Sequence, residues 1–227
     1  MLTIILAESE LELVPDEIAS HPAIISCAKQ RNKKPGSILL DSNLHHSAMK
    51  ELTEGNRRGR PDIVHIFILN ALESILNKKG NLKIIIHTRN NEAIFIDPKT
   101  RIMRNYARFI GLFEQLFEKR KIVAEEKVLI ELKENLPLEK IISGEEHDFV
   151  ISFSENNKSI ELRDYLINLK NKKIKNILCV IGGFPNGDFH SNLSEYSDDI
   201  ISIFDEKLNA WSVANELLAF YNNTFQN

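Results

Sequence analysis

Cysteine is scarce in this 227-residue sequence, with Cys27 and Cys179 as the whole complement. Two residues so far apart give neither a disulfide framework nor the paired spacing of a zinc site. His45-His46 and His87 likewise lack ligand spacing, so no bound metal is expected. Long apolar runs are missing too. The best candidate is interrupted by His65, Asn70 and Glu73, and nothing approaches the roughly 18 to 20 residues of a membrane span. The start Met1-Leu2-Thr3-Ile4-Ile5-Leu6 shows no basic stretch before it and no small-residue cleavage motif after it, so no secretory signal is expected and the expected setting is a reducing cytoplasm. There is no Gly-x-Ser-x-Gly elbow and no Cys/His pair in a nucleophile context. What remains, 43% hydrophobic and 27% charged residues, is the composition of a globular chain long enough to bury a core without covalent staples.

Charge is unevenly placed. Residues 55–121 hold 14 Lys+Arg against 6 Asp+Glu, while the rest of the chain holds 15 against 26. Eight of the ten arginines fall in that central third. Guanidinium groups suit bidentate phosphate contacts and stacking on bases, so an anionic partner stands beside the plainer reading of a solvated basic surface.

Short β-branched runs alternate with longer helical stretches, which predicts an α/β architecture. Strands are expected at 2–7, 37–40, 82–87, 92–96, 127–132, 149–153, 176–181 and 200–204, and helices at 45–52, 62–76, 104–118, 159–169 and 209–221. Residues 82–97 read as a hairpin turning at Thr88-Arg89-Asn90-Asn91. From residue 148 onward the order is strand, helix, strand, Gly-rich loop, strand, helix, a nucleotide-type unit whose crevice lies beyond the strand ends.

Four segments could carry chemistry. Ile181-Gly182-Gly183-Phe184-Pro185-Asn186-Gly187 follows an apolar strand; it is neither a dinucleotide fingerprint nor a P-loop, and alone it reads sooner as a plain turn than as a ligand site. Arg57-Arg58-Gly59-Arg60-Pro61-Asp62 runs into a helix start and sets three guanidinium groups beside one carboxylate. In Thr100-Arg101-Ile102-Met103-Arg104-Asn105-Tyr106-Ala107-Arg108-Phe109 the arginines recur at i, i+3 and i+7, which on a helix would share one face. Ile203 to Asn209 is a strand exit into the last helix.

Together these segments resemble the pseudouridine-N1-methyltransferases of small-subunit ribosome assembly, a branch of the SPOUT class of knotted methyltransferases. The matching residues are Arg60-Pro61-Asp62-Ile63-Val64-His65, Ile86-His87-Thr88, Asp97-Pro98-Lys99-Thr100-Arg101-Ile102-Met103-Arg104, Arg108-Phe109-Ile110-Gly111-Leu112, Gly182-Gly183-Phe184 through Gly187, and Leu208-Asn209-Ala210. They spread over roughly two thirds of the chain, which looks archaeal in its lack of extensions.

The resemblance implies one SPOUT domain over 1–227: a mostly parallel sheet with helices on both faces, a small hairpin extension at 82–97, and a carboxyl-terminal trefoil knot over 148–227. It implies S-adenosylmethionine held by Ile151 and Ser152, by Gly182 and Gly187, and by Ile203, Phe204, Asp205, Glu206, Lys207 and Leu208. It implies small-subunit rRNA held by Arg57, Arg58, Arg60, Asp62, Arg101, Arg104 and Arg108, with an unstacked pseudouridine presented to the methyl group. Asp62 would accept or hydrogen-bond the N1 proton, with Arg60 bracing either Asp62 or the base. A homodimer is expected, with Trp211, Val213, Leu217 and Phe220 on the last helix suited either to that interface or to the core. A non-catalytic rRNA-binding assembly factor and a SPOUT enzyme acting on transfer RNA are the alternatives.

Overall fold

The computed structural model describes residues 1–226; residue 227, the last of the expected domain, lies outside the described residues. The near-continuous apolar runs become strands: β1 (Leu2–Ser9), β2 (Leu82–Thr88), β3 (Ala93–Ile96), β4 (Lys121–Ala124), β5 (Lys127–Lys133), β6 (Phe149–Phe153), β7 (Ile177–Gly182) and β8 (Asp199–Ile201). They form one sheet in the order β4-β5-β3-β2-β1-β7-β6-β8. From β2 to β8 the neighbours are parallel, while β3, β5 and β4 add on antiparallel at one edge. The hairpin expected at 82–97 forms, with β2 paired to the central β1 and β3 carrying the antiparallel edge onward.

Strand alternation decides what each face receives. On β1, Leu2, Ile4 and Leu6 face one core layer and Ile5 and Ala7 the other; on β7, Ile177, Cys179 and Ile181 oppose Leu178 and Val180. Both faces are buried, as a parallel sheet requires. The larger layer is covered by α3 (Pro61–Glu73), α5 (Tyr106–Lys119), α7 (Leu162–Asn171) and α8 (Ala210–Phe225). The opposite layer is covered by α6 (Leu138–Gly144), through Leu138, Ile141 and Ile142. A satellite cluster holds α1 (Pro22–Gln30) and α2 (Ser42–Met49) through Ile24, Ala28, Ala48 and Met49.

Several expected elements differ in the structure. The strand expected at 37–40 is a 3-10 turn at Pro35–Ser37 and a single bridge from Leu39 to Leu13, because the Pro-Gly turn leaves only the residues beyond it free to pair. The helix expected over 62–76 ends at Glu73: Ser74 is extended (ψ 152°), and its hydroxyl accepts from Asn77 N–H at 3.1 Å to start the short α4 (Ile75–Lys78). The helix expected from Arg104 starts at Tyr106, capped by Asn105, whose Oδ1 accepts from Arg108 N–H at 3.0 Å. β8 ends at Ile201, so Ile203 and Phe204 belong to the loop that follows. α1, α6 and β4 (Lys121–Ala124) are present in addition to the expected elements.

Candidate active site

β6, β7 and β8 end on the same side of the sheet, and the loops leaving them line a cleft. Phe153 at the end of β6 contributes with Ser154 and Glu155 beyond it, Gly182 at the end of β7 with Phe184, Pro185, Gly187, Asp188 and Phe189 beyond it, and Ile203, Phe204, Glu206, Lys207 and Leu208 from the loop after β8. Asn209, Ala210 and Trp211 open α8 onto the same space. Asn209 makes no side-chain cap, so first-turn N–H groups of α8 are offered to the cleft. Arg60 and Ile63 close its far wall. The arginine-rich middle and the glycine-bearing tail therefore meet in one crevice.

The first loop is displaced from its expected register. Ile151 and Ser152 do not reach the cleft: both lie fully buried in the middle of β6, paired on one side to Cys179 and Val180 and on the other to Asp199 and Ile200. Ser152 Oγ spends its hydrogen bond on Ser197 Oγ at 2.6 Å. The strand runs on through Phe153, and the lining begins there. Asp205 also departs from expectation, standing exposed at the loop tip while its neighbours line the wall. Gly182, Gly187, Ile203, Phe204, Glu206, Lys207 and Leu208 do line it.

Two glycines have different reasons to be there. A Cβ on Gly183 would stand 2.3 Å from Ser9 Oγ and 2.8 Å from Ser9 Cα, because the exits of β1 and β7 pass against each other. Gly187 has φ +79°, which an L side chain rarely adopts, and faces Arg57 Nη1.

Arg57 is the clamp between the halves. Its guanidinium donates from Nη1 to Asp188 O at 2.6 Å and Asn186 O at 3.4 Å, and its Cζ lies 3.9 Å from the centre of the Phe184 ring. Nε donates to Glu10 Oε1 at 2.8 Å and Nη2 to Glu8 Oε2 at 3.3 Å. Glu8 accepts from the N–H groups of His190 and Ser191 as well, each at 2.8 Å, so one buried carboxylate fixes the end of the glycine loop. Glu8 has φ +50°, and its own N–H donates to His87 Nδ1 at 3.2 Å. Burial lowers the His87 pKa below its ordinary value, which keeps the imidazole neutral and Nδ1 free to accept.

This arrangement corrects the roles expected of Arg57 and Arg58. Neither guanidinium faces outward for RNA: Arg57 is 5% exposed, and Arg58 donates to both carboxylate oxygens of the buried Glu12 at 2.7 Å. Three carboxylates at alternate positions along the exit of β1, Glu8, Glu10 and Glu12, consume them. That pattern, Glu8-Ser9-Glu10-Leu11-Glu12, stood in the sequence without being read.

Arg60 and Asp62 pair as expected. Arg60 donates from Nε to Oδ1 at 2.8 Å and from Nη2 to Oδ2 at 2.7 Å, both partners half-buried. The hydrogen bonds to Asp62 raise the Arg60 pKa above its ordinary value. Arg60 lines the cleft and Asp62 sits behind it at the N-terminus of α3. Beside them, Tyr106 OH donates to Asp41 Oδ2 at 2.7 Å, and burial first, then Asp41, pushes that phenol well up. Asp41 in turn caps α2 through Asn43 N–H. Neither Tyr106 nor Asp41 was singled out from sequence; Asp41-Ser42 as a helix start was the available signal.

Arg101, Arg104 and Arg108 are exposed and make no ion pair among the described residues. They do not share a helix face, since only Arg108 lies in α5. Arg101 and Arg104 ride on an extended segment tied to α3 by a 2.8 Å hydrogen bond between His65 Nε2 and Met103 O. Exposure, rather than helical periodicity, groups them. On α8, Leu217 is core, Val213 and Phe220 pack against the core, and Trp211 lines the cleft.

A mostly parallel α/β sheet, a loop-walled cleft beyond its strand ends, and an arginine–carboxylate pair at the wall of that cleft define a class: a small-molecule-binding α/β protein. Comparison with known proteins narrows this. Residues 4–222 match the model of the EMG1/NEP1 methyltransferase family, and the chain belongs to that family. It is 49% identical, over 98% of its length and 96% of the relative's, to the ribosomal RNA small subunit methyltransferase Nep1 of Methanothrix thermoacetophila. It is 50% identical to the protein of that name from Thermococcus sibiricus, over 97% of each. Its structure superposes on crystalline Archaeoglobus fulgidus Nep1 bound to S-adenosylhomocysteine with a TM-score of 0.86 at 36% identity, covering 99% of both chains.

Proposed function

We propose that this chain transfers a methyl group from S-adenosylmethionine to small-subunit rRNA, at N1 of a pseudouridine, in the cytoplasm. The observation that carries the reading is that Arg60 closes the wall of the cleft formed by the loops after β6, β7 and β8. The lining suits such a cofactor. Phe153, Ile181, Phe184 and Ile203 give apolar walls for an adenine, Glu155, Asp188 and Glu206 give acceptors for hydroxyl and ammonium groups, and the opening turn of α8 suits a carboxylate. When bound, S-adenosylmethionine supplies a methyl carbon activated by a sulfonium sulfur.

The chain's own residues then have two tasks. Arg60 and Asp62 orient the base edge at the mouth of the cleft, with Asp62 accepting a hydrogen bond from N1–H and receiving or relaying that proton as the N1–carbon bond forms. Arg101, Arg104 and Arg108 hold the flanking phosphates, which carry position rather than sequence.

Other parts of the reading follow from placement. The trefoil knot expected over 148–227 is supported by the path of α8, which returns from the edge strand β8 to pack on α3, α7 and β7. A homodimer is supported by the groove beside α8, where Leu162, Leu208 and Phe220 flank a Phe204 that is 53% exposed.

Mass spectrometry of rRNA nucleosides from cells with and without the gene tests the function. Loss of one N1-methylated pseudouridine from the small subunit is expected; unchanged rRNA, or a loss from transfer RNA instead, overturns it. Asp62→Asn tests the site: it leaves S-adenosylhomocysteine affinity near the parent's and lowers methyl transfer about 10²-fold or more, the scale of a positioned acid–base group. Unchanged turnover removes Asp62 from the mechanism.

A further inference from the structure

The structure holds a second groove along α3, on the stripe that Asp62 shares with Leu69 and Glu73. Its floor is Leu69, Leu72 and Ile102, and its rim carries Lys78, Arg101 and Arg104. The one carboxylate at the rim is Glu73, in a 3.3 Å bridge to Lys78 with both side chains more than half exposed, a pair of small energetic worth. The groove is fixed in advance. Asn77 Nδ2 donates to Pro98 O at 2.9 Å at one end of the 98–104 segment, and His65 holds Met103 O at the other. A cationic rim over an apolar floor matches a single-stranded nucleotide, whose phosphate is anionic and whose base and sugar present apolar faces.

Position along α3 gives the distance from the reaction. Asp62 is in the first turn of α3 and Leu69, the nearest floor residue, lies seven residues on, so the groove begins roughly 10 Å along the helix from the carboxylate. We propose that this groove receives a nucleotide flanking the target base on the same single-stranded segment of RNA, with Lys78 as a phosphate contact, so that the RNA follows α3 from the cleft toward α4. The proposal rests on the function given above and extends its RNA footprint to a residue outside the matched motifs.

The experiment uses the full chain and a fluorescein-labelled RNA stem–loop carrying one pseudouridine in its loop, titrated over a series of salt concentrations. Lys78→Glu is compared with Lys172→Glu, an equal charge change at an exposed lysine beyond α7. Lys78→Glu is expected to weaken RNA binding about fivefold or more and to reduce the salt slope by about 0.7, with S-adenosylhomocysteine affinity unchanged and Lys172→Glu altering neither. If Lys78→Glu and Lys172→Glu bind RNA alike while the parent methylates it, the groove is overturned and the function stands. If the parent neither binds nor methylates the RNA, the function itself fails and takes the groove with it.

Discussion

Replacing Arg57 with methionine tests whether the two halves of the site are joined by this one side chain. The substitution keeps most of the volume and removes the fork. It leaves Glu8 and Glu10, which are 4% and 0% exposed, without their shared partner. Breaking a buried pair in this way costs about 3 to 5 kcal/mol. The lower end applies here, because Glu10 keeps Arg89 Nη1 at 2.6 Å and Glu8 keeps the N–H groups of His190 and Ser191. At about 2 to 4 °C per kcal/mol for a chain of this size, a loss near 3 kcal/mol lowers the melting temperature by about 6 to 12 °C. Calorimetry measures it. The same change releases the Asp188 and Asn186 carbonyls and the Phe184 ring, all in the glycine loop. Titration with S-adenosylhomocysteine should therefore show affinity about tenfold weaker, equivalent to about 1.4 kcal/mol of lost preorganisation. Arg57→Lys should fall between the two proteins, since an ammonium reaches one carboxylate but cannot span the fork. A melting temperature within about 2 °C of the parent would refute the buried-pair reasoning, and unaltered cofactor affinity would refute the clamp.

Stability should rise with pH from about 5 to about 7.5. Burial depresses the pKa values of His87 and His45 from the ordinary 6.5, so the unfolded chain takes up protons that the folded one refuses. The contribution is fully present above the unfolded value and is lost as pH falls below it. Urea midpoints across that range measure the slope, and His87→Asn, whose Oδ1 can replace Nδ1 as acceptor to Glu8 N–H, should flatten it; an unchanged slope counts against His87 as a source. Gly183→Ala sets a Cβ against the backbone of Ser9 as well as its hydroxyl and should cost about 1 to 3 kcal/mol by overpacking. A variant as stable as the parent in thermal unfolding would show that the β1 and β7 exits can part freely.

The parallel half of the sheet was legible because its strands are apolar on both faces, a pattern that needs no knowledge of neighbours. β4 was not, since Lys121, Val123 and Ala124 are exposed on an edge hairpin and leave no burial signature. The helix starts were misplaced where a polar residue intervened. Asn105 and Ser74 both look acceptable inside a helix, and only tertiary ties decide otherwise: the first to the His65–Met103 contact, the second to the reach of Asn77 toward Pro98. The loops that line the cleft were legible to within a few residues. Ile151 and Ser152 fall inside the strand both expected and found at 149–153, where they pair with β7 on one side and β8 on the other, so the loop that reaches the cleft begins only after them.

The central charge excess was real in the sequence and misleading as a picture of the surface. Arg57 and Arg58 are neutralised by Glu8, Glu10 and Glu12, and Arg89 by Glu10 and Glu54. Arg120 pairs with Glu134, and Arg60 with Asp62. Each acid at the exit of β1 lies far outside the 55–121 window, so a linear count assigns the positive charge to one segment and the compensating negative charge to another. Only Arg101, Arg104 and Arg108 of the eight keep an uncompensated guanidinium among the described residues. The uncompensated guanidinium groups are therefore gathered on the 101–104 segment and the first turn of α5, while Arg57 is spent within the fold, holding the glycine loop of the cleft. Sequence composition can locate basic residues, but only the fold separates those neutralised inside it from those left exposed on its surface.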